Sequence, residues 1–200
     1  MIWEKKSRTT SFILVLVFLI VLSLLGCNSN SDESSPVKNS STTPASSIAT
    51  STSPVLVKSS NGRLSMPAPD GWRSDDSLWA GAEISLSGWD YYVVVLEKHK
   101  SNYADGFTTD DFLTSAHSDF DNLLYNINWK PSSNISIGGL SGVTVQMNAK
   151  NQGNRAAVVY LISVVADNNN FYEIIGWTSA DRVDIDLKNL QNVMNSLKVS

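Results

Sequence analysis

Side chains able to do chemistry are few in this chain and widely spaced. The lone thiol, Cys27, excludes an intrachain disulfide and a thiolate zinc cage. Two histidines, His99 and His117, are the only candidates for an imidazole base. Ser141 stands in Gly139-Leu140-Ser141-Gly142-Val143. It lacks the closing glycine of a G-x-S-x-G elbow, so its glycines read better as a turn into a strand. His117 and Asp121 are four residues apart on a predicted helix and share a face, but two ligands do not make a metal site. The acids Asp105, Asp110, Asp111, Asp119 and Asp121 lack calcium-loop spacing, and Asp181, Asp184 and Asp186 read likewise as helix-capping and solubilising groups. Neither a G-x-G-x-x-G turn nor a lysine-bearing P-loop occurs, so no cofactor is expected. The aromatic residues are a better lead. Trp72, Trp79 and Trp89 stand among turn and small polar residues, where large rings supply contact area at low entropy cost, and they form the candidate binding surface.

The elements that must position these groups follow from periodicity. Residues 63–68 form a short strand closed by Pro67, Pro69 and the Asp70-Gly71 turn signal. Residues 83–87 and 91–98 flank Gly88-Trp89-Asp90 as a hairpin. Strands over 134–137, 143–150, 155–166 and 171–177 are joined by short glycine- and asparagine-rich turns, which predicts antiparallel pairing. Thr108 or Thr109 caps a first helix carrying Phe112, Ala116, Phe120 and Leu124 at a four-residue spacing, with Leu113, Leu123 and Ile127 beside them. A second helix starts near Thr178 or Ser179 and carries Val183, Leu187, Leu190, Met194 and Leu197. Ala157, Val159, Leu161 and Val165 alternate with Val158, Tyr160, Ile162 and Val164, so both faces of that strand are apolar and both need cover. The expected fold class is α+β: a mainly antiparallel sheet of six or seven strands covered on both faces.

The chain has 200 residues, with 15 Lys+Arg against 19 Asp+Glu, a net charge of −4. That balance argues against a nucleic-acid partner. Its beginning has a different character from the rest. Lys5, Lys6 and Arg8 precede an unbroken apolar run from Phe12 to Leu22. Counted to Gly26 the stretch is about 15 residues, short of the roughly 20 of a spanning helix and within the range of a secretory signal. Residues 27–60 are dominated by Ser, Thr, Asn and Pro without helical or strand period, and read as a disordered tether. Residues 61–200 carry five of the six tryptophans and enough apolar sequence for one core.

Leu24-Leu25-Gly26-Cys27 resembles a bacterial lipobox, with Leu25 a less usual occupant of its slot. The resemblance implies cleavage after Gly26, a lipid on the Cys27 sulfur, palmitate-type acylation, and a membrane anchor in the cell membrane or outer membrane, with the domain outside the cytoplasm. Two acyl signals suit that role, because one chain alone binds a bilayer marginally.

The order Leu64-Ser65-Met66-Pro67 leading to Gly71-Trp72, paired strands, a helix, Gly138-Gly139-Leu140-Ser141-Gly142, a long hairpin and a final helix ending Met194-Asn195-Ser196-Leu197-Lys198-Val199 resembles the PsbP-like superfamily. Many relatives have Phe where this chain has Leu197. The resemblance implies an αβα sandwich and a non-enzymatic binding or assembly module, monomeric, with an unidentified envelope protein as partner. A small-ligand or lipid carrier is the alternative, and a hydrolase using Ser141 the weakest one. This resemblance transfers no site residue, since function inferred from such a fold is analogy.

Overall fold

Strand alternation organises the computed structural model, which describes residues 54–200. The expected signal segment, Cys27 and the first part of the expected tether lie outside the described residues. The strands are β1 (Val55–Lys58), β2 (Leu64–Ala68), β3 (Arg73–Ser74), β4 (Ile84–Ser87), β5 (Tyr91–His99), β6 (Leu124–Trp129), β7 (Ser133–Ile137), β8 (Leu140–Asn151), β9 (Ala157–Ala166), β10 (Asn170–Ser179) and β11 (Lys198–Val199). The helices are α1 (Thr109–Leu123) and α2 (Val183–Asn195). Eight strands form one antiparallel sheet in the order β3-β4-β5-β10-β9-β8-β6, with β7 also paired to β8. A second sheet has the order β1-β2-β11.

The two-sided apolar pattern of the central strands has the expected consequence. On one face, Val94, Leu96, Val158, Tyr160, Ile162 and Val164 pack with Phe112, Leu113 and Phe120 of α1. On the other, Val93, Val95, Leu161, Val165 and Ile174 pack with Leu190, Val193 and Met194 of α2 and with Leu64 and Met66 of the small sheet. The domain is therefore an α+β sandwich, helix on one face and helix plus small sheet on the other.

Four boundaries differ from the sequence reading, each for a local reason. Val55–Lys58 is already strand β1 and pairs with β2, although it falls inside the stretch read as tether. The turn after it is held by Ser59, whose hydroxyl accepts from Leu64 N–H at 2.9 Å. Ile127 and Leu124 belong to β6 rather than to α1. The helix stops at Leu123 and the chain goes straight into a strand whose register shifts between Tyr125 and Asn128, around Asn126 at φ 53°. Such a bulge disguises a strand as helical spacing. Thr178 and Ser179 are the last residues of β10, and α2 begins at Val183 after a short 3₁₀ turn over Ala180–Arg182. Leu197 to Val199 lie beyond the second helix, and Lys198–Val199 pair with β2. The Thr108 cap forms as a reciprocal box: its hydroxyl accepts from Asp111 N–H at 3.2 Å while the Asp111 carboxylate accepts from Thr108 N–H at 2.9 Å.

Candidate functional site

Two Gly-Trp pairs build an exposed aromatic corner. Gly71 sits in the turn closed by Trp72 N–H donating to Pro69 C=O at 3.0 Å, and Gly88 opens the β4–β5 hairpin by donating to Tyr91 C=O at 2.9 Å. The rings are exchanged. The Trp72 indole covers Gly88, where an added Cβ would stand 2.8 Å from the ring, and the Trp89 indole crosses Gly71, where a Cβ would stand 3.3 Å from Nε1. Gly71 also has φ +81°, a conformation a side chain disfavours. Trp72 meets Tyr91 edge-on at 4.7 Å between centroids, a favourable aromatic geometry. Trp72 is half-buried, whereas Trp89 is 87% exposed.

The hairpin tip is braced from α2. Arg182 Nε lies 3.2 Å from Asp90 Oδ2 and 2.8 Å from Asp186 Oδ2. Asp186 is 2% exposed, and its other neighbour Thr178 Oγ1 lies 3.3 Å from Oδ2 and 3.1 Å from the Asp90 carbonyl oxygen. The hydrogen bond to Asp186 and the surrounding carboxylates raise the Arg182 pKa, so the guanidinium is a permanent charge. Asp186 differs from the solubilising acid that its sequence context suggests: it is the buried anchor of this brace. The Arg182–Asp186 spacing of four on a helix was the available signal.

Trp79 belongs elsewhere. It packs half-buried against the α1 face, with its Nε1 buried and without a hydrogen-bond partner. Only Trp72 and Trp89 of the three candidate tryptophans are brought together.

The catalytic candidates are kept apart. His99 ends β5 and caps the following 3₁₀ turn, its Nδ1 accepting from Ser101 N–H at 3.2 Å and lying 2.6 Å from Ser101 Oγ. Ser141 lies on β8, opposite Ser136 of β7. β9 and β10 separate β8 from β5, a span of about 14 Å at ordinary strand spacing. His117 stacks on Trp129 at 3.7 Å, and burial lowers its pKa against the pull of Asp121. Among the described residues no cluster of three metal-ligating side chains occurs.

Two further polar clusters escaped the sequence reading. At one end of the sheet, Arg63 reaches Glu97 Oε1 at 2.8 Å, Tyr172 Oη at 2.9 Å and Asp167 Oδ2 at 3.4 Å, while Tyr172 donates to Asp167 at 2.6 Å. Burial and the Asp167 contact push the Tyr172 phenol up to about 12. Burial also disfavours the Asp167 charge, but the Tyr172, Asn169 and Asn170 donors and Arg63 outweigh it and hold its pKa low. These bonds join the start of β2 to the main sheet and fix structure. In mid-sheet, Glu173 faces α1 between Leu96 of β5 and Val164 of β9. It is 7% exposed, and burial raises its pKa to about 7, with Lys98 opposing and Asp119 reinforcing the shift. In the core on the same face, the rings of Phe112, Tyr103 and Phe171 stand 5.2–5.5 Å apart between centroids.

No known family model matches the chain, and no curated protein matches it. Solved structures do. The chain is similar to the cyanobacterial PsbP (CyanoP) of Synechocystis sp. PCC 6803, at 17% identity and TM-score 0.53, over 80% of this chain and 98% of that one. It is similar to LpqN of Mycobacterium tuberculosis, described as involved in cell envelope biogenesis, at 16% identity and TM-score 0.49, over 68% of this chain and 83% of that one. A protein of Bacteroides thetaiotaomicron matches at 10% identity and TM-score 0.52, over 74% of this chain and 49% of that one. The domain has the PsbP-like α+β fold.

Proposed function

We propose that this chain is an envelope lipoprotein, anchored through Cys27, whose PsbP-like domain is a non-catalytic binding or assembly module presenting the Trp72–Trp89 corner. The observation that carries the reading is that corner: an indole almost wholly in solvent, seated on a glycine and braced through Asp90 by the Arg182–Asp186 pair. A core residue would not be held outward at the cost of a buried carboxylate, whereas a rigid aromatic anchor binds with little ordering entropy. The lipobox-like Leu24–Cys27 after a signal-length apolar run supports the anchor, and residues 28–53 serve as its tether. The non-catalytic reading is supported by the use of His99 in a cap and of His117 in a stack. The filled aromatic layer beneath α1 speaks for a packing core rather than a carrier's cavity.

Replacing Cys27 with Ser tests the anchor. The expected results are a protein that moves from the membrane to the soluble fraction, and a wild-type chain that takes up labelled palmitate and accumulates as precursor under globomycin. A wild-type chain with an unmodified Cys27 thiol refutes it. Capture of the anchored protein from its own envelope, compared with a Trp89→Ala variant, tests the binding surface; an unchanged set of captured components, together with a Trp89 that does not touch the bilayer, refutes it.

A further inference from the structure

The exposed large hydrophobic residues of the domain are Val55, Leu56, Trp89 and Ile185, at 69%, 51%, 87% and 65% exposure. The fold links Val55, Trp89 and Ile185 through a short series of neighbours. Val55 is opposite Ala68 in the small sheet, and the turn that follows Ala68 carries Gly71, on which the Trp89 ring lies. Asp90, next to Trp89, is paired with Arg182, and Ile185 follows one helical turn later on α2. The same corner is where the chain arriving from Cys27 enters the domain, at the first residues of β1.

We infer that this corner docks on the headgroup–acyl boundary of the bilayer that holds the anchor, inserting Trp89 and Ile185 beside the point where the tether arrives. The inference rests on the anchored reading proposed above and names the partner of the same surface. Three features select a bilayer. Tryptophan prefers the membrane interface, where its ring is in hydrocarbon and its N–H stays wet. The tether leads into the patch, so docking is an intramolecular step at high effective concentration and a small patch suffices. The charges next to these residues along the chain are mixed: Asp70, Asp90, Asp181 and Asp184 against Lys58, Arg73, Arg182 and Lys188, on a domain that is acidic as a whole. Attraction to anionic lipid therefore contributes little, and apolar insertion must carry the contact. Docking in turn fixes the orientation of the domain, with the opposite end of the sheet directed away from the membrane.

The test uses phosphatidylcholine–phosphatidylglycerol vesicles brominated near the top of the acyl chains, which quench only indoles that reach them. The mature lipidated chain is measured first. The chain from Asn28 is measured in parallel, held through an N-terminal histidine tag on nickel-chelating lipid, where Cys27 plays no part. In both arms the tryptophan emission is expected to be quenched, undiminished in high salt, and to lose that quenching in Trp89→Ala. Ile185→Asp, an exposed site that leaves the Trp89 fluorophore in place, is expected to abolish it as well. Vesicle-bound protein whose emission bromolipid does not quench overturns the inference and leaves the corner to a protein partner or a second copy. Quenching on nickel lipid by a native chain that fails to float with vesicles overturns the Cys27 anchor and upholds the docking.

Discussion

Glu173 makes the stability of this domain fall as pH rises through neutrality, and substitution by Gln removes that dependence. Its carboxyl lies in β10 under α1, 7% exposed, and burial raises its pKa from 4.5 to about 7 in the folded chain. The folded state therefore binds the proton more tightly than the unfolded state between those two values, and stability declines with pH across that window. Below about 4.5 both states are protonated and Glu173 costs nothing through ionisation. Above about 7 the full penalty is present, about 3 kcal/mol at 1.36 kcal/mol per pH unit of displacement. His117 has the opposite sign: burial lowers its pKa, so the stability it contributes is lost as pH falls. The acids whose pKa values are lowered, Asp111, Asp167 and Asp181, titrate below this window. The two groups partly mask one another in the wild-type profile, and the difference between wild type and Glu173→Gln isolates the carboxyl. An amide at this site has its own desolvation cost, about 1–3 kcal/mol, but that cost does not vary with pH and cancels. Urea unfolding of the chain from Asn28 at pH 5 and pH 8 measures the difference. Relative to wild type, Glu173→Gln is expected to gain about 2–3 kcal/mol between the two, because a little of the penalty is already present at pH 5; that is on the order of 10 °C in Tm for a domain of this size. A wild-type-minus-Gln difference that stays constant from pH 5 to pH 8 refutes the assignment of a buried, proton-holding carboxyl.

Other substitutions probe the remaining features. Gly142→Ala places a methyl against the Val164 carbonyl oxygen of the neighbouring strand, where backbone cannot yield, and is expected to cost at least about 3 kcal/mol by denaturant titration. Gly153→Ala, whose added methyl meets nothing within 4 Å, is expected to be tolerated. Asp186→Ala removes three charge-assisted hydrogen bonds, one from Thr178 and two from Arg182, and is expected to destabilise by about 2 kcal/mol, with faster amide exchange at the Gly88–Tyr91 turn as the local readout. Tyr172→Phe deletes the hydroxyl shared by Asp167 and Arg63; a cost of about 1–2 kcal/mol is expected, with near-normal stability the contrary result.

What could be read before the fold was known, and what could not, divides along a physical line. Periodicity reports how a segment meets its immediate surroundings, and the long segments obeyed it: Phe112, Ala116 and Phe120 all turn to the sheet, and Val93 and Val94 go to opposite cores. Short strands carry too few residues for a period. β3 and β11 have two residues each, and both exist because a neighbouring strand offers a ladder. β6 was hidden by its bulge, because one extra residue turns a two-residue repeat into something close to a helical one. β1 was hidden by composition: three good strand residues, Val55, Leu56 and Val57, adjoined a serine-rich stretch and were absorbed into it.

The polar residues that matter most were the least legible, since a charge is assigned by its partners and these are far away in sequence. Arg63 meets Glu97 and Tyr172 across 34 and 109 positions. Glu173 had a local sign, a single acid among Phe171, Ile174 and Ile175, yet its meaning depends on α1 lying over it. The aromatic corner was half visible. The sequence Gly-Trp occurs three times; Gly176-Trp177 lies in β10, and the two pairs of the corner are Gly71-Trp72 and Gly88-Trp89, where a glycine beside a large ring is the mark of a backbone that something must approach closely. The ring that approaches each glycine belongs to the other pair, so the two turns hold one another in place. That reciprocity ties Trp89 to the fold although most of its ring stands in solvent: the indole lies over Gly71, and the neighbouring Asp90 is paired with Arg182.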